Sequence, residues 1–159
     1  MITVIQDNQE KIPWDFTTYS EYIEHQIVKK IPTGDYTILN HETELVIERK
    51  RDIDELANNL GNYYARFRRQ LLRMTKYKYS YVICEFPRQH VIDYPATSNV
   101  SKYHWVNKKP WVPKRTGISL LHQIDTIVEK YHIEFIFSMN RECARYEALN
   151  IMRRIDERI

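Results

Sequence analysis

The stretch Leu45-Val46-Ile47-Glu48-Arg49-Lys50-Arg51-Asp52-Ile53-Asp54 joins a short apolar run to a dense group of charges. The apolar run predicts a strand, and residues two apart on a strand point to the same side of the sheet. We therefore expect Glu48 and Lys50 to lie side by side, the first as a ligand for a divalent metal ion. The second can hold a phosphate or activate water. Arg49 alternates to the other side, where it can bridge to an acid such as Asp54 or reach a phosphate.

A second carboxylate, Asp35, stands upstream in Gly34-Asp35-Tyr36, at the start of another strand-like run. An aspartate on one strand and Glu-x-Lys on the next form the minimum set of groups for metal-dependent phosphodiester cleavage. Because Mg²⁺ prefers few protein carboxylates plus water molecules, we interpret Asp35 and Glu48 as the core metal ligands. The pattern predicts a nuclease, but acids and lysines two apart are also common on exposed strands.

Four short segments occur along the chain in an order that matches a known family. They are Asp7-Asn8-Gln9-Glu10-Lys11-Ile12-Pro13, Gly34-Asp35-Tyr36, Glu48-Arg49-Lys50-x-x-x-Asp54 and Arg66-Phe67-x-x-Gln70. This series resembles the nuclease domain of the XPF family of structure-specific endonucleases, whose signature is Glu-Arg-Lys-x-x-x-Asp. The resemblance is strongest over residues 2–86 and continues more weakly through residues 133–157.

The resemblance implies a magnesium-dependent DNA endonuclease, with Mn²⁺ as a substitute, that cuts branched or junction DNA such as flaps, forks and splayed arms. It carries the metal-ligand role onto Asp35 and Glu48, and it adds a metal contact from the backbone carbonyl of Arg49. It implies that Lys50 touches the scissile phosphate or the attacking water. On this reading Arg49 also belongs to the catalytic set.

Further residues take roles from the same resemblance. Asp54 would support a water molecule or a second metal ion, although an aspartate in a first helical turn also stabilises the helix without any catalysis. Asp7 and Glu10 match an early acidic pair that leans toward the metal centre, and the alternative is a polar strand exit. Arg66 and Gln70 lie four apart on one helix face, where they support the site or DNA, or form a surface pair.

Positive charge is segregated along the chain, whose formal net charge is +3. No acid occurs between Glu55 and Glu85 or between Asp93 and Asp125, and basic residues accumulate in both runs. Segregated positive charge suits a polyanion held against an acidic centre, and the alternative is a pair of ordinary solvated faces. The residues expected to contact DNA are Arg66, Arg69, Gln70, Arg73, Lys108, Lys109, Trp111, Lys114 and Arg115.

Composition narrows the class of protein. With 159 residues, of which 43% are apolar, the chain fits one nuclease domain over residues 1–159. No apolar run approaches the roughly 18 residues of a membrane span, and no signal-peptide pattern opens the chain. We therefore expect a cytoplasmic protein, in the bacterial host cytoplasm or nucleoid if the chain is phage-encoded. Cys84 and Cys143 lack metal-ligand spacing and are interpreted as reduced core residues.

The order of the predicted elements indicates an α/β protein with a central mixed sheet flanked by helices. The resemblance implies the same architecture, a restriction-endonuclease-like core. A capping pair, Asp52 and Glu55, starts a helix whose apolar stripe runs from Leu56 through Tyr63 to Met74. Residues 17–32 fit either a helix or a bent strand. The other predicted elements are strands at 2–5, 35–39, 44–48, 78–86 and 133–137 and helices at 118–131 and 141–155.

Residues 88–117 form a long predicted loop that is basic and aromatic and has no clear periodicity. Its aromatic side chains can stack on unpaired bases while its lysines hold phosphates, or they can fold back over the sheet edge. In the family that the chain resembles, a DNA-gripping module with glycine-bearing hairpins usually follows the nuclease domain. Since Gly117 is the only glycine after Gly61, we expect this chain to lack those hairpins.

A stand-alone domain of this kind looks like those that phages or mobile elements encode. The family resemblance is compatible with a homodimer that forms through the nuclease domain. Two hypotheses compete with that of a junction-cutting endonuclease. The first is a nuclease that cuts plain duplex DNA or nicks DNA in phage replication or packaging, and the second is a non-catalytic DNA-binding or scaffold subunit with a nuclease-like fold.

Overall fold

The computed structural model describes residues 1–100 and 114–158, together with the backbone of residues 105–106 and 109–110. Eight strands and five helices occur in this part of the chain. In order, they are β1 (Ile2–Gln6), β2 (Ile23–Val28), β3 (Tyr36–Ile38), β4 (Leu45–Lys50), α1 (Ile53–Leu60), α2 (Tyr64–Met74), β5 (Tyr79–Cys84), α3 (Arg88–Ile92), β6 (Trp105–Val106), β7 (Lys109–Pro110), α4 (Gly117–Tyr131), β8 (Glu134–Phe137) and α5 (Arg141–Asp156).

Six strands form one mixed sheet in the order β2-β1-β3-β4-β5-β8, and β6 pairs with β7 in a separate ribbon. Strand β3 runs antiparallel to both β1 and β4, whereas β4, β5 and β8 are mutually parallel. The predicted α/β architecture is therefore confirmed. The ambiguous segment 17–32 contains β2, an edge strand that pairs in parallel with β1 and leaves most of its side chains exposed.

The sheet is covered on both faces, which explains why every residue of β4 is buried. On one face, Val46 packs with apolar side chains from α1, α2 and α4. On the other face, Leu45 and Ile47 pack with Trp14, Phe16 and the apolar side of α5. None of the described helices is both long enough and apolar enough to cross a membrane.

The predicted single helix from Asp52 to Met74 is two helices. Helix α1 begins as expected, with the Asp52 carboxylate accepting a hydrogen bond from the Glu55 N–H at 2.8 Å, but it ends at Gly61. Two asparagines and this glycine lower the helix propensity there, and glycine is the usual residue just after a helix end. The chain turns before α2, and Tyr63 is 58% exposed rather than part of an apolar stripe.

The segment predicted as a loop, 88–117, contains helix α3 directly after Pro87. This helix packs against the start of α4, where a Cβ at Gly117 would overlap the backbone of Val91 and the next residue. The side chains of Trp105 and Trp111 lie outside the described residues. Cys84 is buried as predicted, but Cys143 lies on the exposed side of α5, so its assignment to the core is wrong.

Candidate active site at the end of the central strands

The carboxyl end of β4 brings two opposite charges together, as the period of two along a strand requires. Lys50 Nζ lies 3.1 Å from Glu48 Oε1, and both side chains are almost fully buried. The ammonium also lies 5.0 Å from the centre of the Phe67 ring of α2. Burial opposes the charge on Lys50, but the carboxylates of Glu48 and Glu55 outweigh it and raise the pKa of this ammonium. Lys50 is therefore a cation at neutral pH.

Asp35 is fixed beside Arg49 by the antiparallel pairing of β3 with β4. Its backbone N–H donates to Ile47 O at 2.8 Å, and its Oδ2 accepts from the Arg49 N–H at 2.8 Å. Gly34 makes this approach feasible, because its φ of 81° lies in the left-handed region and a Cβ there would overlap Val46. Burial, and then the charges of Glu48 and Glu10, raise the pKa of Asp35 well above its usual value.

These groups line a cleft of about 190 Å³ that opens at this end of the sheet. Its lining residues are Gln9, Glu10, Lys11, Asp35, Glu48, Arg49, Arg51 and Glu55. Burial raises the pKa of Glu10, partly opposed by Arg49, and the charge of Glu48 raises it further. Glu10 Oε2 is buried and has no hydrogen-bond partner among the described residues. The cleft thus concentrates negative charge that the described side chains do not fully neutralise.

Asp35, Glu48 and Glu10 fit a divalent cation. Their carboxylates repel one another, and the unpartnered Oε2 of Glu10 is an oxygen for which a cation would compensate. Among residues 1–100 and 114–158, however, no group of three or more His, Cys, Asp or Glu side chains is placed so that it could hold a metal ion, so a cation here would take few protein ligands at a time. The arrangement therefore suits a hard cation such as Mg²⁺, which keeps several of its water molecules, better than it suits zinc.

Arg49 lies on the opposite side of β4 and is only 3% exposed. Its Nε donates to Glu85 Oε1 and its Nη1 donates to Ile12 O. Nη1 also lies 3.6 Å from Glu10 Oε1. Of the two roles predicted for Arg49, the structure places its guanidinium against acids, but these are Glu85 and Glu10. The expected bridge to Asp54 is not formed.

The Asp54 carboxylate points away from the cleft, toward the chain that follows α3. It accepts hydrogen bonds from the Ser98 hydroxyl and, at 2.7 Å, from the Asn99 N–H. The acid of α1 that reaches the site is Glu55, whose Oε1 lies 3.8 Å from Lys50 Nζ. Its other oxygen accepts from the Arg51 N–H at 3.0 Å. The capping pair of Asp52 and Glu55 was a signal for this contact, because the side chain of the third residue in such a helix reaches back toward the residues before the helix.

Asp7 does not line the cleft, and its carboxylate instead accepts hydrogen bonds from the backbone. One carboxylate oxygen accepts from the Ile31 N–H at 2.9 Å, and the other accepts from the Gln9 N–H at 3.2 Å. These two hydrogen bonds hold Asp7 against the backbone of Ile31 and Gln9. Of the early acidic pair, the structure therefore brings Glu10, but not Asp7, to the other site residues.

The residues predicted to contact DNA fall into different environments. Arg66, Arg69 and Arg73 are exposed on α2, and Gln70 is half-buried. This helix flanks the cleft, since its Phe67 touches Lys50 and Arg73 Nε donates to Thr33 Oγ1 at 2.9 Å. The exposed arginines of α2 therefore form a basic border beside the acidic cleft.

The second predicted group of DNA contacts, at 108–115, is only partly described. The guanidinium of Arg115 makes hydrogen bonds within the fold. Its Nη1 donates to Leu60 O at 3.3 Å, while its Nε and Nη2 donate to Ser119. Arg115 joins the end of α1 to the start of α4, so its guanidinium has a role within the fold, and its predicted contact with DNA stays a prediction. Lys114 is exposed. The side chains of Lys108, Lys109 and Trp111 lie outside the described residues.

Comparison with known proteins identifies the family and the fold. The model of the ERCC4 domain family matches residues 6–146. A solved structure of XPF from Aeropyrum pernix is 19% identical, has a TM-score of 0.69, and matches over 98% of this chain and 66% of that chain. A structure of XPF from Aeropyrum pernix in complex with DNA is 20% identical, has a TM-score of 0.66, and matches over 99% and 66%.

This chain spans 66% of the length of both of these structures. No curated protein sequence matches it at a significant level. The structural similarity, together with the six-stranded mixed sheet and its flanking helices, confirms the restriction-endonuclease-like fold.

Proposed function

The chain belongs to the ERCC4 domain family, the family of the XPF nuclease domain, and on this basis we propose that it is a metal-dependent DNA endonuclease. The observation that carries the proposal is the convergence of Asp35, Glu48 and Glu10 on one cleft with the buried ammonium of Lys50. A polyanion such as DNA needs both parts, a cationic group for its phosphate and an acidic centre that can bind a cation.

The roles of the side chains follow from their charges. Asp35 and Glu48 would hold a divalent cation, with Glu10 as a further ligand, and that cation would supply Lewis acidity and a lowered pKa of water. Lys50 stays charged next to these acids and can hold a non-bridging oxygen of the scissile phosphate. Glu55 keeps the ammonium in place from the other side. Magnesium is the cation that we propose, with manganese able to replace it.

Affinity for DNA would come from the basic border on α2. Arg66 and Arg69 are exposed there, on the helix whose Phe67 contacts the ammonium of Lys50. The solved complex with DNA concerns XPF from Aeropyrum pernix, and we extend DNA binding from that protein to this one because they share the family and the fold. We further propose that the protein prefers branched or junction DNA, that it forms a homodimer through this domain, and that it is cytoplasmic.

The test is cleavage of end-labelled duplex, single-stranded, splayed-arm, flap and four-way-junction DNA in Mg²⁺ or Mn²⁺. Asp35→Asn and Lys50→Ala are compared with wild type, and the controls are Asp125→Asn and Lys130→Ala, which alter exposed residues of α4. We expect cutting concentrated at junctions, lost in both site variants and kept in both controls.

Failure takes a recognisable form. If the wild type binds these DNAs but cuts none of them in either metal, the protein is a binding or scaffold subunit. Equal cutting by wild type and the two site variants would place the chemistry elsewhere in the molecule.

A further inference from the structure

A polar network directly behind the cleft joins three segments that are far apart in the sequence. Glu85 Oε1 accepts hydrogen bonds from Trp14 Nε1, at 2.8 Å, and from Arg49 Nε. Trp14 is fully buried, its ring stacks on Tyr36 with centroids 5.0 Å apart, and the Arg49 guanidinium lies 5.2 Å from the indole ring. One carboxylate of Glu85, just after β5, thus orients both an indole and a guanidinium.

The network reaches the cleft through Arg49. Its Nη1 lies 3.6 Å from Glu10 Oε1 and donates to Ile12 O, two residues further along the same segment. This holds the segment from Glu10 to Trp14 against the sheet at both ends. The other oxygen of Glu10 is buried and has no hydrogen-bond partner among the described residues. Arg49 therefore lies against one oxygen of Glu10, while the other oxygen has no partner among the described residues.

Stability alone is a poor explanation for this arrangement. A buried ion pair contributes little net stability, because its attraction has to offset the desolvation of both charges. Here Arg49 Nη2 and Glu10 Oε2 are both buried without partners in the described part of the chain, which adds a further cost. Partly satisfied buried networks of this kind are the ones that call for a functional explanation.

We propose that Glu85 and Trp14 are positioning residues that act through Arg49 to hold Glu10 as a ligand for the cation. The inference rests on the proposed function, since it assigns these side chains a part in the same site. Residues that orient a metal ligand without touching the metal commonly change metal affinity or activity by about 10- to 100-fold when they are altered.

The experiment is a double-mutant cycle with Mn²⁺ binding as the first readout, measured on the full chain without DNA by the electron paramagnetic resonance of free Mn²⁺. The variants are Glu10→Gln, Glu85→Gln and the double variant. Glu134→Gln, on the exposed side of edge strand β8, is the control. Trp14→Phe keeps a ring on Tyr36 but loses the N–H that donates to Glu85, so it provides a second, independent perturbation.

We expect Glu85→Gln to weaken Mn²⁺ binding about tenfold or more, and the control to leave it unchanged. Adding Glu85→Gln to Glu10→Gln should then cost no more than about twofold, because the two residues act through one carboxylate. Trp14→Phe should weaken Mn²⁺ binding in the same direction. Cleavage should lose kcat, while KM for DNA changes by less than about twofold.

Two results would overturn the inference while leaving the proposed function standing. One is a lowered melting temperature in Glu85→Gln and Trp14→Phe with unchanged Mn²⁺ affinity in the folded protein, which describes a purely structural network. The other is strict additivity of Glu10→Gln and Glu85→Gln in both Mn²⁺ binding and cleavage. A wild type that neither binds Mn²⁺ nor cuts DNA would overturn both proposals together.

Discussion

Two single variants, Glu55→Gln and Asp54→Asn, compare two neighbouring acids of α1. Glu55 contacts Lys50 in the structure, whereas Asp54 is the acid that belongs to the sequence motif. Both changes remove one negative charge and preserve the shape of the side chain. Only Glu55 lies within reach of the ammonium, at 3.8 Å, whereas Asp54 holds Ser98 and Asn99. We therefore expect Glu55→Gln to slow DNA cleavage more than Asp54→Asn does.

The size of the effect follows from the distance and the exposure. Two unit charges about 4 Å apart attract by about 4 kcal/mol at an effective dielectric constant of about 20. The Glu55 side chain is 33% exposed, so water screens this attraction and leaves a net value of about 1 kcal/mol. Since about 1.4 kcal/mol corresponds to a factor of ten in rate, Glu55→Gln should slow the chemical step roughly fivefold.

The assay is single-turnover cleavage of a junction substrate at saturating protein, with circular dichroism to verify that each variant is folded. Single-turnover conditions isolate the chemical step from DNA binding and product release. The reasoning would be refuted if Asp54→Asn slowed cleavage more than Glu55→Gln in two equally stable variants, because Asp54 would then act on the cleft despite its orientation.

Three further outcomes follow from the contacts. Gly34→Ala places a Cβ in the Val46 side chain at a φ of 81°, and we expect urea unfolding to show a loss of about 2–4 kcal/mol. Arg115→Ala removes the donor to Leu60 O, so it should lower stability by about 1–3 kcal/mol, yet leave DNA affinity in a filter-binding assay unchanged. Arg66→Ala should do the reverse: it should weaken DNA binding and reduce the salt slope by about one without altering the melting temperature. Equal effects of the last two variants on DNA affinity would contradict this distinction.

Local patterns were enough to predict the centre of the site. The alternation of side chains along a strand placed Glu48 and Lys50 on one side of β4 and Arg49 on the other. The sequence also placed Asp35 on the strand before the one that carries Glu48 and Lys50, and the pairing of β3 with β4 brings Asp35 to Arg49. These features depend on residues that are close together in the sequence, and local sequence patterns predict such contacts best.

The sequence did not show the contacts that depend on side-chain direction or on residues far apart in the chain. Successive residues of a helix point about 100° apart, so counting residues in a motif did not show that α1 turns Glu55 toward Lys50 and Asp54 away. Asp7 is used by the backbone of Ile31, 24 residues away. Glu85 was not singled out at all, because its partners are brought to it only by the tertiary fold.

The break between α1 and α2 was not predicted, although the sequence contains a signal for it. An apolar stripe from Leu56 to Met74 suggested one continuous helix, and the spacing alone supported it. The signal against it, two asparagines followed by Gly61, was present in the sequence but was outweighed by the periodicity. After the break, α2 packs Phe67 against Lys50 and leaves its arginines exposed.

The most direct test of the central claim, that this cleft is the cation site of a nuclease, is anomalous diffraction from crystals soaked in Mn²⁺. We expect an anomalous peak bonded to the carboxylates of Asp35 and Glu48, with Glu10 beside it, and no such peak in crystals of Asp35→Asn. A peak held instead by Asp7 or Asp54, or a peak in the cleft that survives Asp35→Asn at full height, would contradict the account.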